Sequence, residues 1–270
     1  MNSKAQIIAI VNQKGGVAKT TTTLNLAYTL LENGKKVLVV DLDPQSNLSM
    51  SLGITMPSDL KITICDLMTS ILEEKQLSVN NFYISRPNGP DLIPSNILLS
   101  IVEMNLVNAL SRENILKSVL EGYREHYDFI IIDCMPSLGM LTINALAACD
   151  SVIIPATPQY LSAKGLELIL QTVSKVRKRI NPSLKIDGVI LTMVNDRTKH
   201  AKEIVQLIKE AYGEHIRIFE TMIPISIKVG EANYNSKSIL EFDPKNKVAL
   251  AYQQFGKEYL NYGEEQVKKL

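Results

Sequence analysis

The stretch Asn12-Gln13-Lys14-Gly15-Gly16-Val17-Ala18-Lys19-Thr20-Thr21 follows an apolar run at Ile7–Val11 and leads directly into a segment of helical period, Thr20 to Asn33. A glycine loop between a buried strand and a helix lets backbone N–H groups converge on phosphate at the helix N-terminus. In that setting Lys19 supplies a fixed cation and Thr20 a hydroxyl ligand for Mg²⁺. The ordinary G-x-x-x-x-G-K-[ST] pattern fails here, because Gln13 and Ala18 stand where its glycines would be. A second lysine, Lys14, opens the glycine pair instead. An L-residue at Ala18 is expected to keep a negative φ.

Working outward, short β-branched runs recur at Val37–Val40, Phe129–Ile132, Val152–Ile154 and Val189–Leu191. Such runs are the mark of strands buried on both faces. Helix-period segments lie between several of them, at Leu161 to Arg179 and Ala201 to Tyr212, with stops at Asn33-Gly34, Asn181-Pro182 and Tyr212-Gly213. The alternation predicts an α/β fold, a mostly parallel twisted sheet flanked by helices, with ligands at the carboxyl ends of the strands. Ser46 to Asn96 holds turn formers such as Met56-Pro57-Ser58-Asp59 and reads as loop and short helix. A last helix, about Lys247 to Tyr262, packs back on the core.

With 270 residues, 46% hydrophobic content and 21% charged residues, the chain can bury a core without disulfide or metal. Twenty-nine Lys and Arg against 28 Asp and Glu leave +1, so any basic surface must be local. One cluster stands out: Lys175, Arg177, Lys178, Arg179, Lys185, Arg197, Lys199 and Lys202 face only two acids, Asp187 and Asp196. It reads as a footprint for phosphate backbone or as the solvated end of a helix. Cys65, Cys134 and Cys149 have no CxxC spacing, and His126, His200 and His215 are scattered, so neither set suggests a metal site. No signal peptide and no run near ~20 apolar residues is visible, and the expectation is a soluble cytoplasmic protein.

The Lys-Gly-Gly-x-x-Lys-Thr loop resembles the deviant Walker-A ATPases, the ParA, Soj and MinD group, whose motif is KGGxxK[ST]. Three further segments extend the resemblance. Val37 to Gln45, with Asp41-Leu42-Asp43-Pro44-Gln45, is similar to that family's DxDPQ segment. There the second aspartate orients the attacking water, a role the resemblance gives to Asp43, while Asp41 either shares it or holds the loop. Tyr127 to Gly139 resembles a Walker-B strand and the D-x-x-P-S switch, which implies that Asp133 reaches Mg²⁺ directly or through a water beside Thr20. Val189 to Arg197 resembles the adenine-contacting segment, with Asn195 either reading the base or forming a turn with Asp196.

Ile223 to Ala232 and Ser238 to Lys245 are similar to the IPRNVRLSEA and PILxYDPKS stretches of the partition members, although Ile225 and Lys228 replace two arginines. The resemblance, which runs from Ile7 to about Tyr262, implies a partition ATPase using ATP and Mg²⁺. Its nucleotide would be held by Lys14, Gly15, Gly16, Val17, Ala18, Lys19, Thr20, Thr21 and Asn195, with Lys14, Lys19 and Asp43 acting in hydrolysis. It further implies an ATP-state homodimer, non-specific DNA bound through Lys199, Lys202 and Lys228, a ParB-like centromere-binding partner and association with the nucleoid. Because the loop lies so near Met1, one ATPase domain over 1–270 without an N-terminal helix-turn-helix domain is expected. The rival is a MinD-like membrane-associated regulator, but Tyr262 to Leu270 is acidic, then basic, and a poor membrane anchor. An iron–sulfur carrier would need cluster ligands that the cysteine spacing does not supply.

Overall fold

The computed structural model describes residues 4–75, 82–195 and 198–268. Its strands are β1 (Gln6–Ile10), β2 (Val37–Leu42), β3 (Asp91–Ile93), β4 (Phe129–Cys134), β5 (Ser151–Ala156), β6 (Lys185–Val194) and β7 (Ile218–Pro224). The helices are α1 (Lys19–Glu32), α2 (Asn47–Ser51), α3 (Ile64–Leu72), α4 (Leu99–Leu106), α5 (Ile115–Glu121), α6 (Met140–Ala148), α7 (Tyr160–Arg179), α8 (Lys199–Tyr212), α9 (Lys228–Tyr234), α10 (Ile239–Phe242) and α11 (Lys247–Lys268). Among the described residues the strands form one parallel sheet in the order β3-β2-β4-β1-β5-β6-β7.

The β-branched runs sit in the sheet because both of its faces are covered. Alternate residues point to opposite sides: Ile7, Ala9 and Val11 enter one core with Leu38, Val40, Ile130 and Ile132. Ile8 and Ile10 enter the other with Val39, Ile131 and Ile153, under α1 and α11. α11 contributes Val248, Tyr252, Phe255 and Tyr259 to that core. No helix among the described residues is long and apolar enough to cross a membrane.

The order places β1 at the switch point, with β4 and β2 on one side and β5, β6 and β7 on the other. Loops leaving the carboxyl ends on either side of such a strand splay apart and leave a crevice for a ligand. The glycine loop occupies that position.

Two parts of the sequence reading are extended. Ser46 to Asn96 contains a regular helix, α3, opened by a capping box in which Thr63 and Asp66 exchange hydrogen bonds, and the edge strand β3. The strand β7 was not anticipated either. Its burial alternates along the chain, the pattern of a sheet edge, so it lacks the continuous apolar run that marks the inner strands.

Candidate functional site: a phosphate loop facing three aspartates

The loop is tied down before its helix begins. Asn12 Nδ2 donates to the Pro155 carbonyl at 2.8 Å, and Asn12 Oδ1 accepts from the Lys14 N–H at 2.9 Å. Gly16 turns left-handed at φ +70°, which glycine accepts freely. Ala18 also turns left-handed, at φ 64° and ψ 34°, and forms the N-cap of α1 without a side-chain cap. This corrects the expected negative φ: the loop's closure onto α1 overrides the local steric preference of an L-residue, at a cost of about 1–2 kcal/mol.

Thr20 and Thr23 lie three apart on one face of α1 and both point at the end of β4. Thr20 Oγ1 donates to Asp133 Oδ2 at 2.7 Å, and Thr23 Oγ1 to Asp133 Oδ1 at 3.3 Å. Asp133 is held beside Asp41, its register partner on β2. Lys19 folds back so that its ammonium donates to the Lys14 carbonyl at 3.2 Å. The cleft beside the loop, about 440 Å³, is lined by Gly15, Gly16, Ala18, Lys19, Thr20, Thr21, Asp43 and Pro136, and across from them by Asn47, Met50, Ser51 and Asn233.

The two aspartates of the β2 segment differ sharply. Asp41 is fully buried, accepting from the Ser49 N–H and hydroxyl at 2.8 and 2.7 Å and from the Asp43 N–H at 3.2 Å. It holds the loop, one of the two readings its sequence left open. Asp43 faces the cleft and accepts from the Gln45 N–H at 2.9 Å.

Burial sets the charge balance. It pushes the Asp133 carboxyl up to about 8, helped by the nearby Asp41 and opposed by the Thr20 hydroxyl and Lys19. Asp41 is raised to about 6 by the same desolvation, against its three hydrogen bonds. Lys19 is lowered by desolvation, with Asp133 pulling the other way. One buried ammonium among Asp41, Asp43 and Asp133 leaves the site short of positive charge, and Asp133 accordingly holds its proton to higher pH. Its free donors are oxygens, which suit a hard cation such as Mg²⁺. No three of His, Cys, Asp and Glu converge closely enough among the described residues to hold an ion unaided. That is the habit of Mg²⁺, which takes one or two protein ligands and completes its shell with phosphate and water.

The remaining sequence candidates fall outside the cleft. The Lys14 ammonium donates to Gln159 Oε1 at 2.7 Å, and Lys14 borders a second, shallower depression with Pro136, Ser137 and Leu138. Asn195 is exposed just past β6, and its carbonyl accepts from the Thr198 N–H and hydroxyl at 3.3 and 3.2 Å, a turn geometry. Asp196 and Arg197 lie outside the described residues.

The basic cluster is divided. Lys175, Arg177, Lys178, Arg179 and Lys185 sit at the amino end of β6, and Lys199 and Lys202 follow its carboxyl end. Ten residues of strand hold the two groups about 30 Å apart. Along the sequence the two groups run together, and only the fold parts them. Lys228 belongs with the carboxyl-end pair, because the Ile225 N–H donates to the Val194 carbonyl at 3.1 Å and brings the loops after β6 and β7 together. Its ammonium pairs with Glu231 at 2.6 Å, and Lys199 with Glu203 at 3.8 Å.

Sequence reading missed Asn47, Met50, Ser51 and Asn233 on the far wall, and Thr23. The run Thr20-Thr21-Thr22-Thr23 carried a signal for the last, since i and i+3 share a helix face. Nothing local marks the far-wall residues, which the fold brings from α2 and α9.

A parallel sheet with a glycine loop at its switch point, a lysine and threonine opening the helix and an aspartate ending the neighbouring strand defines a P-loop nucleoside triphosphatase. The chain belongs to the AAA domain family, whose model matches residues 5–186, and within it to the ParA/Soj group of deviant Walker-A partition ATPases. It is 41% identical over 257 residues to the sporulation initiation inhibitor protein Soj of Bacillus subtilis (strain 168), covering 94% of this chain and 97% of that one. Among solved structures it superposes on a cobyrinic acid a,c-diamide synthase from Mycobacterium smegmatis with bound ADP and magnesium, with a TM-score of 0.82, 33% identity and 96% of each chain covered. It also superposes on a putative plasmid partition protein from Borrelia burgdorferi B31 bound to AMPPNP, with a TM-score of 0.71, 29% identity, and 99% of this chain and 100% of that one covered.

Proposed function

We propose that this protein is a DNA partition ATPase, one ATPase domain over residues 1–270, that binds ATP with Mg²⁺ and dimerises in that state. The dimer binds DNA without sequence preference and hydrolyses ATP slowly until a ParB-like centromere-binding partner engages it, which places the protein in the cytoplasm on the nucleoid. The observation that carries the reading is the Thr20–Asp133 hydrogen bond beside Lys19, because it joins the phosphate loop to a carboxylate in a site short of positive charge. The bound nucleotides of the two solved relatives support it.

In this reading the N–H groups of Gly15 to Thr21 and the Lys19 ammonium hold the phosphates. Thr20 and Asp133 hold the metal, which when bound would neutralise phosphate charge and orient the terminal phosphoryl group. Asp43, at the cleft wall, accepts a hydrogen bond from the attacking water and aims it. Lys14, turned out of its own cleft, serves the partner's nucleotide. Asn195 contacts adenine. Lys199, Lys202 and Lys228 contact DNA phosphate.

The test is sedimentation of the purified protein with DNA or with anionic liposomes, each with ATP, ADP or no nucleotide. Recovery with DNA in ATP alone supports partition. Recovery with liposomes instead would establish the MinD-like reading.

A further inference from the structure

Thr192 lies within β6, fully buried and 175 residues from the phosphate loop. Its hydroxyl donates to the Val17 carbonyl at 3.0 Å and leans toward that of Ala156, at the end of β5, at 3.3 Å. A threonine hydroxyl has a single proton, so the shorter contact is the principal one. Asn12 makes the matching tie at the start of the loop, to the carbonyl of Pro155. The loop is thus fastened at its start to β5, through Asn12, and near its end to the neighbouring strand β6, through Thr192.

The tie at Val17 has a directional effect. In a planar trans peptide the carbonyl and the following N–H point opposite ways. With the Val17 oxygen held toward β6, the Ala18 N–H is turned away from it, and Ala18 lines the cleft. Ala18 is also the non-glycine residue of the loop in left-handed conformation, with no side-chain cap to hold it there. A conformation that L-residues rarely adopt persists when its surroundings over-determine it. Here the fixed Val17–Ala18 peptide does so.

We propose that Thr192 is a positioning residue of the nucleotide site: its hydroxyl locks the Val17–Ala18 peptide so that the Ala18 N–H faces a bound phosphate and the left-handed alanine is held in place. The proposal rests on the reading of the cleft as a nucleotide site. It explains how alanine serves at a position where the backbone conformation favours glycine.

The test uses Thr192→Val, which removes the hydroxyl at nearly constant shape, and Thr192→Ser, which keeps it, each with and without Ala18→Gly. One readout needs no nucleotide: hydrogen exchange of the Thr22 amide, which donates to the Ala18 carbonyl at 2.9 Å and reports opening of the loop. The other is ADP affinity by calorimetry. Thr192→Val is expected to speed that exchange and weaken ADP binding about tenfold each, the scale of one net hydrogen bond. Thr192→Ser should stay within about twofold of the unsubstituted protein. With Ala18→Gly present, the Thr192→Val loss should shrink to about threefold or less, because glycine needs no help to stay left-handed. Unchanged Thr22 exchange in Thr192→Val, or equal losses with and without Ala18→Gly, would overturn the assignment. Should Thr192→Val not fold, Thr192→Ala is read the same way. If the unsubstituted protein binds no ADP, the nucleotide reading fails, while the exchange result still judges Thr192.

Discussion

The hydroxyl of Thr20 donates to the carboxylate of Asp133 across 2.7 Å, linking the first turn of α1 to the last residues of β4. That bond closes a buried site in which acidic side chains outnumber cations, and its electrostatics fix how the nucleotide-free protein responds to pH. Asp133 titrates near 8 and Asp41 near 6 in the folded chain, against an ordinary 3.8 for each. A folded state that holds its protons to higher pH is favoured at low pH: the contribution is complete below about 4 and is lost as pH rises through about 8.

Asp133→Asn keeps an acceptor for Thr20 but cannot ionise. Between pH 5 and 8, without Mg²⁺ or nucleotide, its stability should fall less steeply than that of the unsubstituted protein, by up to about 1.4 kcal/mol per pH unit. From pH 5 to pH 8 the variant should therefore gain on the unsubstituted protein by up to about 4 kcal/mol. Urea melts across that range check this, and parallel curves would mean that Asp133 is already ionised in the apo fold.

The two lysines should separate binding from assembly. Lys19 lies in the cleft and Lys14 points away to Gln159. Lys19→Ala should weaken ATP binding about a hundredfold or more, since the phosphates lose a charge-assisted donor in a desolvated site. Lys14→Ala should bind ATP within about threefold of normal, the effect of losing an exposed charge at a distance. It should fail to dimerise and to hydrolyse. Calorimetry with light scattering checks both, and equal loss of ATP binding would place Lys14 in its own cleft.

Asp43 and Asp41 should fail in different ways. A carboxylate that aims water acts in the transition state, so Asp43→Ala should lower kcat about a hundredfold and leave ATP affinity nearly unchanged. Asp41→Ala strands Ser49 and the Asp43 N–H, and should cost about 2–3 kcal/mol of stability. Steady-state kinetics and thermal melts distinguish them. Normal turnover in Asp43→Ala moves the water-aiming role elsewhere.

What the sequence made legible was what short-range rules control. The glycine loop, Lys19, Thr20 and the aspartates at strand ends sit where strand–loop–helix order puts them, and buried strands announce themselves by continuous β-branched runs. The losses have particular causes. β3 is three residues long, paired with β2 on one side and bridged at Leu92 to Ile84 on the other, so no periodicity can reveal it. The φ of Ala18 is set by a tie to Thr192, distant in sequence, and not by its own sterics. Lys185 and Lys199 look adjacent in a charge count, yet a full strand stands between them.

That last separation sharpens the expectation for DNA. A duplex resting on the carboxyl end of the sheet, over the loops after β6 and β7, can meet Lys199, Lys202 and Lys228 but not Lys178, about 30 Å away. Each phosphate contact adds roughly 0.9 to the magnitude of the slope of log K against log salt. In a two-fold dimer Lys202→Ala removes two contacts and should flatten the slope by about 1.8, while Lys178→Ala should leave it unchanged. Lys228→Ala should do the same as Lys202→Ala only if phosphate displaces Glu231, whose hydrogen bond to the Lys228 ammonium raises the lysine pKa. Glu231→Gln should then tighten DNA binding, because the ammonium no longer has to leave a carboxylate. Contacts to phosphate read no base edges, so every effect should repeat on unrelated duplexes. Salt titrations with ATP on two such duplexes decide it: a slope altered by Lys178→Ala and not by Lys202→Ala would put DNA at the amino end of the sheet, away from the nucleotide, and would remove the simplest route by which ATP could control it.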